Sequence, residues 1–111
     1  MTEEQKQNRY KKILDYYEGD ALATDVLIDK YLTDTENHPS QMWKRISSAA
    51  ANIEMFYGEQ TSAAIDSRVK HWYNEFYNLL DDWKFIPGGR INYALGRDEK
   101  VTSCNCYVIP I

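Results

Sequence analysis

Ile65, Val69, Trp72, Phe76, Leu79 and Trp83 recur in steps of four and three, and a helix with 3.6 residues per turn brings all six to one side. On a strand the same residues would scatter over both faces. The spacing therefore predicts a long helix that stops before Pro87, because proline lacks the N–H a continuing helix needs. Whatever else this chain does, its framework is read first as helical.

Three earlier segments follow the same logic. Thr2 and Gln5 have the spacing of a capping box, Tyr10, Ile13, Leu14 and Tyr17 recur at helical intervals, and Gly19 offers a left-handed stop. These features predict a helix over residues 3–18. Leu22, Val26, Leu27 and Tyr31 form an apolar stripe beside Asp25, Asp29 and Lys30, predicting a second helix over 22–32 that ends in a polar loop, 33–39. Trp43, Ile46, Ala50, Ile53 and Tyr57 mark the buried face of a third over 41–57, where Ala49, Ala50 and Ala51 allow close approach by a neighbour. No repeat and no low-complexity tract interrupts this pattern, so solenoid and linker readings find no support.

Periodicity breaks at Phe85-Ile86-Pro87-Gly88-Gly89-Arg90. Two adjacent glycines free the backbone for positive φ or close approach of a ligand. The pair lacks the spacing of a nucleotide fingerprint and follows a helix, so a plain turn is the simpler alternative. Residues 101–109, Val-Thr-Ser-Cys-Asn-Cys-Tyr-Val-Ile, are rich in β-branched and aromatic residues and read as a strand. No partner strand is legible, and a lone apolar strand invites association. The expectation is a chain cut before its sheet begins.

With 111 residues, 43% of them hydrophobic, the chain can bury one modest core. Its net charge of -4 comes from interspersed acids and bases, with no basic block to follow a phosphate backbone, which disfavours direct nucleic-acid binding. The N-terminus has no apolar signal-peptide region, and no run approaches the ~20 apolar residues of a membrane span. A soluble cytoplasmic protein without membrane contact is expected.

Cys104 and Cys106 are too few and too close for a secreted disulfide framework. On a strand both thiols share a face, with Cα atoms roughly 6.5 to 7 Å apart and parallel side chains, which disfavours a bond between them. At least one is then free or paired at a distance. Burial as small hydrophobes is the plain alternative. A metal site finds little support, because His38 and His71 fall in a loop and on a helix and no second cysteine pair exists.

Taken together, Phe85-Ile86-Pro87-Gly88-Gly89-Arg90-Ile91, the fifteen residues from Asn92 through Cys106, and Tyr107-Val108-Ile109-Pro110 resemble the catalytic chain of ribonucleotide reductases. Upstream, the segment 23–32, ending Asp29-Lys30-Tyr31-Leu32, looks like an early helix of that family. Met42-Trp43-Lys44-Arg45-Ile46, with Ile53-Glu54 beyond it, looks like the next. The resemblance spans nearly the whole chain.

That resemblance implies a mainly α fold: a helical N-terminal region, residues 1–84, leading through a glycine loop into the first strand of a ten-stranded α/β barrel, with 85–111 belonging to the catalytic domain. It implies that Cys106 supplies a reducing equivalent at the ribose 2′ position and closes a disulfide with a distant cysteine. It places Gly88, Gly89 and Asn105, together with Cys106, near the substrate. Some relatives carry serine or threonine in the loop and serine before the cysteine, where this chain has Gly89 and Asn105, so contacts there would be largely through backbone. Cys104 has no counterpart, and Cys106 is favoured by the Tyr107-Val108-Ile109-Pro110 that follows it. The Pro-Gly-Gly-Arg form looks closest to the adenosylcobalamin-dependent class II enzymes; the alternative is a separate radical-generating subunit. The radical cysteine and second redox cysteine lie farther along such chains, so this one alone is expected to be inactive. Its implied partners are a ribonucleotide, the remainder of the catalytic chain and a thioredoxin-type reductant.

Two other readings stay open at this point. A small helical interaction module fits the aromatic-rich stripe from Ile65 to Trp83 but leaves the glycine loop and final strand unexplained. A stand-alone thiol redox protein lacks the C-x-x-C motif and βαβ pattern it would need.

Overall fold

The computed structural model describes residues 1–98. The expected strand over 101–109, and with it Cys104, Asn105 and Cys106, lies outside the described residues. Within them every regular element is helical. Two compact units form, Met1–Met42 and a second from Trp43 onward.

In the first unit, α1 spans Glu3–Tyr16 and opens with the expected capping box. Thr2 Oγ1 accepts the N–H of Gln5, and the Gln5 side chain accepts that of Thr2. The chain leaves α1 through Glu18 and Gly19, both left-handed, with φ of 55° and 90°. α2, Ala21–Val26, starts at Asp20, whose carboxylate accepts the N–H of Ala23, and packs against α1.

α2 runs directly into one π-helical turn, Leu27–Tyr31, closed by Leu32 N–H on the Leu27 carbonyl at 3.0 Å. The buried face differs from the expected stripe. Leu22 is 74% exposed, whereas Leu27 and Leu32 are buried. Thr24 is fully buried despite its hydroxyl, because Oγ1 donates to the Asp20 carbonyl at 2.8 Å; a satisfied polar group carries little penalty.

The polar segment after Leu32 is held by Arg9 of α1. Its Nε donates to the Glu36 carbonyl at 2.7 Å and its Nη2 to that of Thr33 at 2.8 Å. Burial of this guanidinium lowers its pKa, against the opposing charges of Asp34 and Glu36. Glu36, itself buried, turns its carboxylate back onto the N–H of Thr33. His38 then begins α3, Pro39–Asn52, by accepting the N–H of Ser40 on Nδ1 at 3.1 Å, and Tyr16 packs edge-on against its ring.

In the second unit, α3 buries Trp43, Ile46 and Ala51 and passes into a 3-10 turn, Ile53–Phe56. This turn packs on α4, Ser62–Leu80, where Arg68 donates to the Glu54 carbonyl. Thr61 caps α4 by accepting the N–H of Ala64. The stripe that predicted this helix is only partly covered: Trp72 and Leu79 are 39% and 50% exposed, and Leu80 is the buried leucine. Beyond α4 the backbone reverses through Asp82 and Trp83, both left-handed. Such a pair costs roughly 1–2 kcal/mol per residue. Edge-to-face packing of Trp83 on Trp43, centroids 5.3 Å apart, helps hold it.

Candidate functional site

The glycine loop is the expected site element that falls within the described residues, and it is shorter than expected. Phe85 and Ile86 are exposed, Pro87 ends the irregular stretch, and helix resumes at once as α5, Gly89–Ala94. Gly88 caps this helix in ordinary extended backbone, φ -54° and ψ 151°, so the positive φ expected of the pair is not used there. Its carbonyl accepts the N–H groups of Ile91 and Asn92 at 3.0 and 3.2 Å. Gly88 and Gly89 thus form the first turn of a six-residue helix.

A helix this short does not stand by itself, since isolated helices below about 12 residues are marginal in water. What holds α5 is Arg45, on α3. Its guanidinium donates through Nη2 to the Asn92 carbonyl at 2.9 Å, and through Nη1 to the carbonyls of Tyr93, at 3.2 Å, and Leu95. A cation on the last carbonyls of a helix answers both their missing acceptor bonds and the negative end of the helix dipole. Arg97 adds a second cation at the same end, donating to the Tyr93 carbonyl and lying 4.1 Å over the Tyr93 ring.

Gly96 is where this segment needs glycine. Its φ is +80°, and a Cβ there would stand 2.5 Å from Arg45 Cγ and 3.0 Å from the Arg45 carbonyl oxygen. Asn92 links the clamp to the loop. It is 5% exposed and its Nδ2 donates to the Pro87 carbonyl at 3.4 Å, while its Oδ1 is buried without a hydrogen-bond partner.

Sequence reasoning singled out neither Arg45 nor Asn92 for the site, and passed over Gly96. Arg45 lies 47 residues before Asn92, a separation no local pattern reports. Gly96 carries a usable signal, a glycine just past a short helix, hidden because six residues, 89–94, are too few to display a helical period.

Residues 17–100 match the family described as "Ribonucleotide reductase, all-alpha domain". The chain belongs to this family. No curated protein and no solved structure matches it significantly. The ribonucleotide reductase match covers about three quarters of the chain. It spans α2 through α5, agrees with the helical character of the described residues, and takes in both the glycine loop and its clamp. Among those residues, no three His, Cys, Asp or Glu side chains come together as a metal-binding group. No described helix is long and apolar enough to cross a membrane.

Proposed function

We propose that this chain is the N-terminal part of a ribonucleotide reductase catalytic subunit, that Cys106 is one of its two reducing thiols, and that the Gly88–Gly89 turn lies against the substrate. The observation that carries the reading is the family match over residues 17–100, with Asn105-Cys106-Tyr107-Val108-Ile109-Pro110 beginning after four further residues. In this reading residues 85–111 belong to the catalytic domain, with 101–109 as the first strand of its ten-stranded barrel.

The chemistry assigned to Cys106 balances as follows. A ribonucleotide and two cysteine thiols yield a deoxyribonucleotide, a disulfide and water; the 2′ C–O bond breaks, its oxygen leaves with protons, and the two sulfurs lose two electrons between them. The second thiol is assigned to another part of the catalytic chain, and a thioredoxin-type dithiol restores both by exchange. Asn105 sits beside the reacting sulfur in sequence, and substrate contacts at Gly88 and Gly89 run through backbone groups.

The Pro87-Gly88-Gly89-Arg90 form favours an adenosylcobalamin-dependent enzyme. Adenosylcobalamin supplies the initiating radical in such enzymes. We assign its seat to another part of the catalytic chain.

The test is Cys106→Ser in the complete catalytic chain with its radical source. Multiple turnover should vanish while nucleotide binding persists, because serine keeps the shape but cannot form the disulfide. Cys104→Ser should cost little. The reverse ranking moves the reductant to Cys104, and two fully active variants refute the reading.

A further inference from the structure

The Pro87–Gly89 turn is held at one remove. Pro87 offers a carbonyl to the Asn92 side chain, Asn92 offers its own carbonyl to Arg45, and Arg45 is anchored in α3, whose neighbours Trp43 and Ile46 are buried. The links Arg45 to Asn92 and Asn92 to Pro87 therefore connect a buried helix to the glycine turn. α5 has only six residues and too few internal bonds to fix its own position.

Geometry also explains why the residue must be arginine. One planar guanidinium reaches the carbonyls of Asn92, Tyr93 and Leu95 from a single side-chain position, using a fork of donors that the compact lysine ammonium does not have. Gly96 leaves the side chain room to pass, since any Cβ there would occupy the place of Arg45 Cγ.

We propose that Arg45 is a positioning residue for substrate binding: through α5 and Asn92 it fixes the Pro87–Gly89 turn in the shape that receives the nucleotide. The substrate half of this inference rests on the function proposed above; the clamp itself does not. Arg45 touches no reacting atom, so it acts on affinity. A turn that spends part of its time displaced binds in proportion to the fraction correctly placed. The chemical step, once substrate is bound, proceeds unchanged.

The experiment compares Arg45→Ala and Arg45→Lys with wild type in the complete catalytic chain. Hydrogen exchange at residues 88–96 should accelerate about tenfold or more in Arg45→Ala, with exchange in α4 unchanged. KM for the ribonucleotide should rise about tenfold, with kcat within about twofold of wild type. Added guanidinium ion should restore KM in Arg45→Ala, and Arg45→Lys should fall between the two. Unchanged exchange at 88–96 overturns the clamp. Faster exchange with an unaltered KM overturns the positioning role while leaving the reductase reading intact. A fall in kcat alone, or exchange accelerated throughout α4, also counts against it, as both indicate general loss of structure. A wild-type complete chain that reduces no ribonucleotide sinks the functional reading and the substrate half of this proposal together, while the exchange measurement still decides the clamp.

Discussion

Replacing Gly96 by alanine tests whether the clamp is as tight as its geometry implies. At φ +80° an L-residue costs roughly 1–2 kcal/mol from its own Cβ. The new methyl would also stand 2.5 Å from Arg45 Cγ and 3.0 Å from the Arg45 carbonyl oxygen. Neither yields easily, because one is helix backbone and the other is the root of a side chain committed to three carbonyls. Displacing the guanidinium forfeits at least one charge-assisted hydrogen bond, about 1.5–3 kcal/mol. The total is about 2.5–5 kcal/mol.

Gly58 is the natural control, with the same φ of +80°. A Cβ there meets only the guanidinium end of Arg68, at 3.2 Å, and that end can swing aside. Gly58→Ala should therefore cost the backbone part alone, roughly 1–2 kcal/mol. Both glycines lie in the unit that carries Trp43, Trp72 and Trp83, so urea unfolding followed by tryptophan fluorescence reports on each. Gly96→Ala should lower stability by about 1.5–3 kcal/mol more than Gly58→Ala, read as the shift in the urea transition. Equal losses would mean that Arg45 gives way freely and would refute the argument.

Two pH effects follow from the first unit. Burial, and then the charge of Lys12, hold the His38 pKa below its ordinary 6.5, so the unfolded chain takes up this proton first. The stabilising contribution is complete above about pH 6.5 and declines as pH falls through the folded value. An imidazole NMR titration should give a midpoint below 6.5, and His38→Gln should reduce the loss of stability as pH falls below about 6.5; a midpoint at or above 6.5 contradicts this. Tyr17 behaves oppositely at high pH. Burial first, and Asp20 second, push its pKa up to about 12. Its contribution is full below about pH 10 and is lost as pH rises through the folded value. Ultraviolet titration should find a late-ionising tyrosine that Tyr17→Phe removes; an unaltered titration curve in that variant would be the contrary result.

Where the fold was legible in sequence, the signal was local. Thr2 and Gln5 form the capping box their spacing promised, and α4 occupies nearly the span marked by its apolar stripe. Local patterns could not report the π turn, nor that Thr24 rather than Leu22 would be the buried residue of α2. Nor could they say that the α4 stripe would be half covered, because coverage depends on what packs against it. The site divides in the same way. Pro87, Gly88 and Gly89 announced a break in helix, yet the break lasts only until Gly89. Arg45, Asn92 and Gly96 hold the turn through contacts made in three dimensions. Asn105 and Cys106, on which the chemistry rests, were read from motif alone.

The π turn has a consequence for how such a chain tolerates insertions and deletions. Because Leu32 bonds to the carbonyl five residues back, the stretch Leu27–Tyr31 carries one residue more than an α-helical turn requires. Removing a single residue between Leu27 and Leu32 would leave the two leucines four apart, a spacing at which an ordinary helix still places both on one side. The same deletion inside α1 or α4 would rotate every later side chain by about 100° and turn the buried face outward. The segment thus acts as a reading-frame buffer for the helix surface: length can change by one residue here without scrambling which side chains face inward.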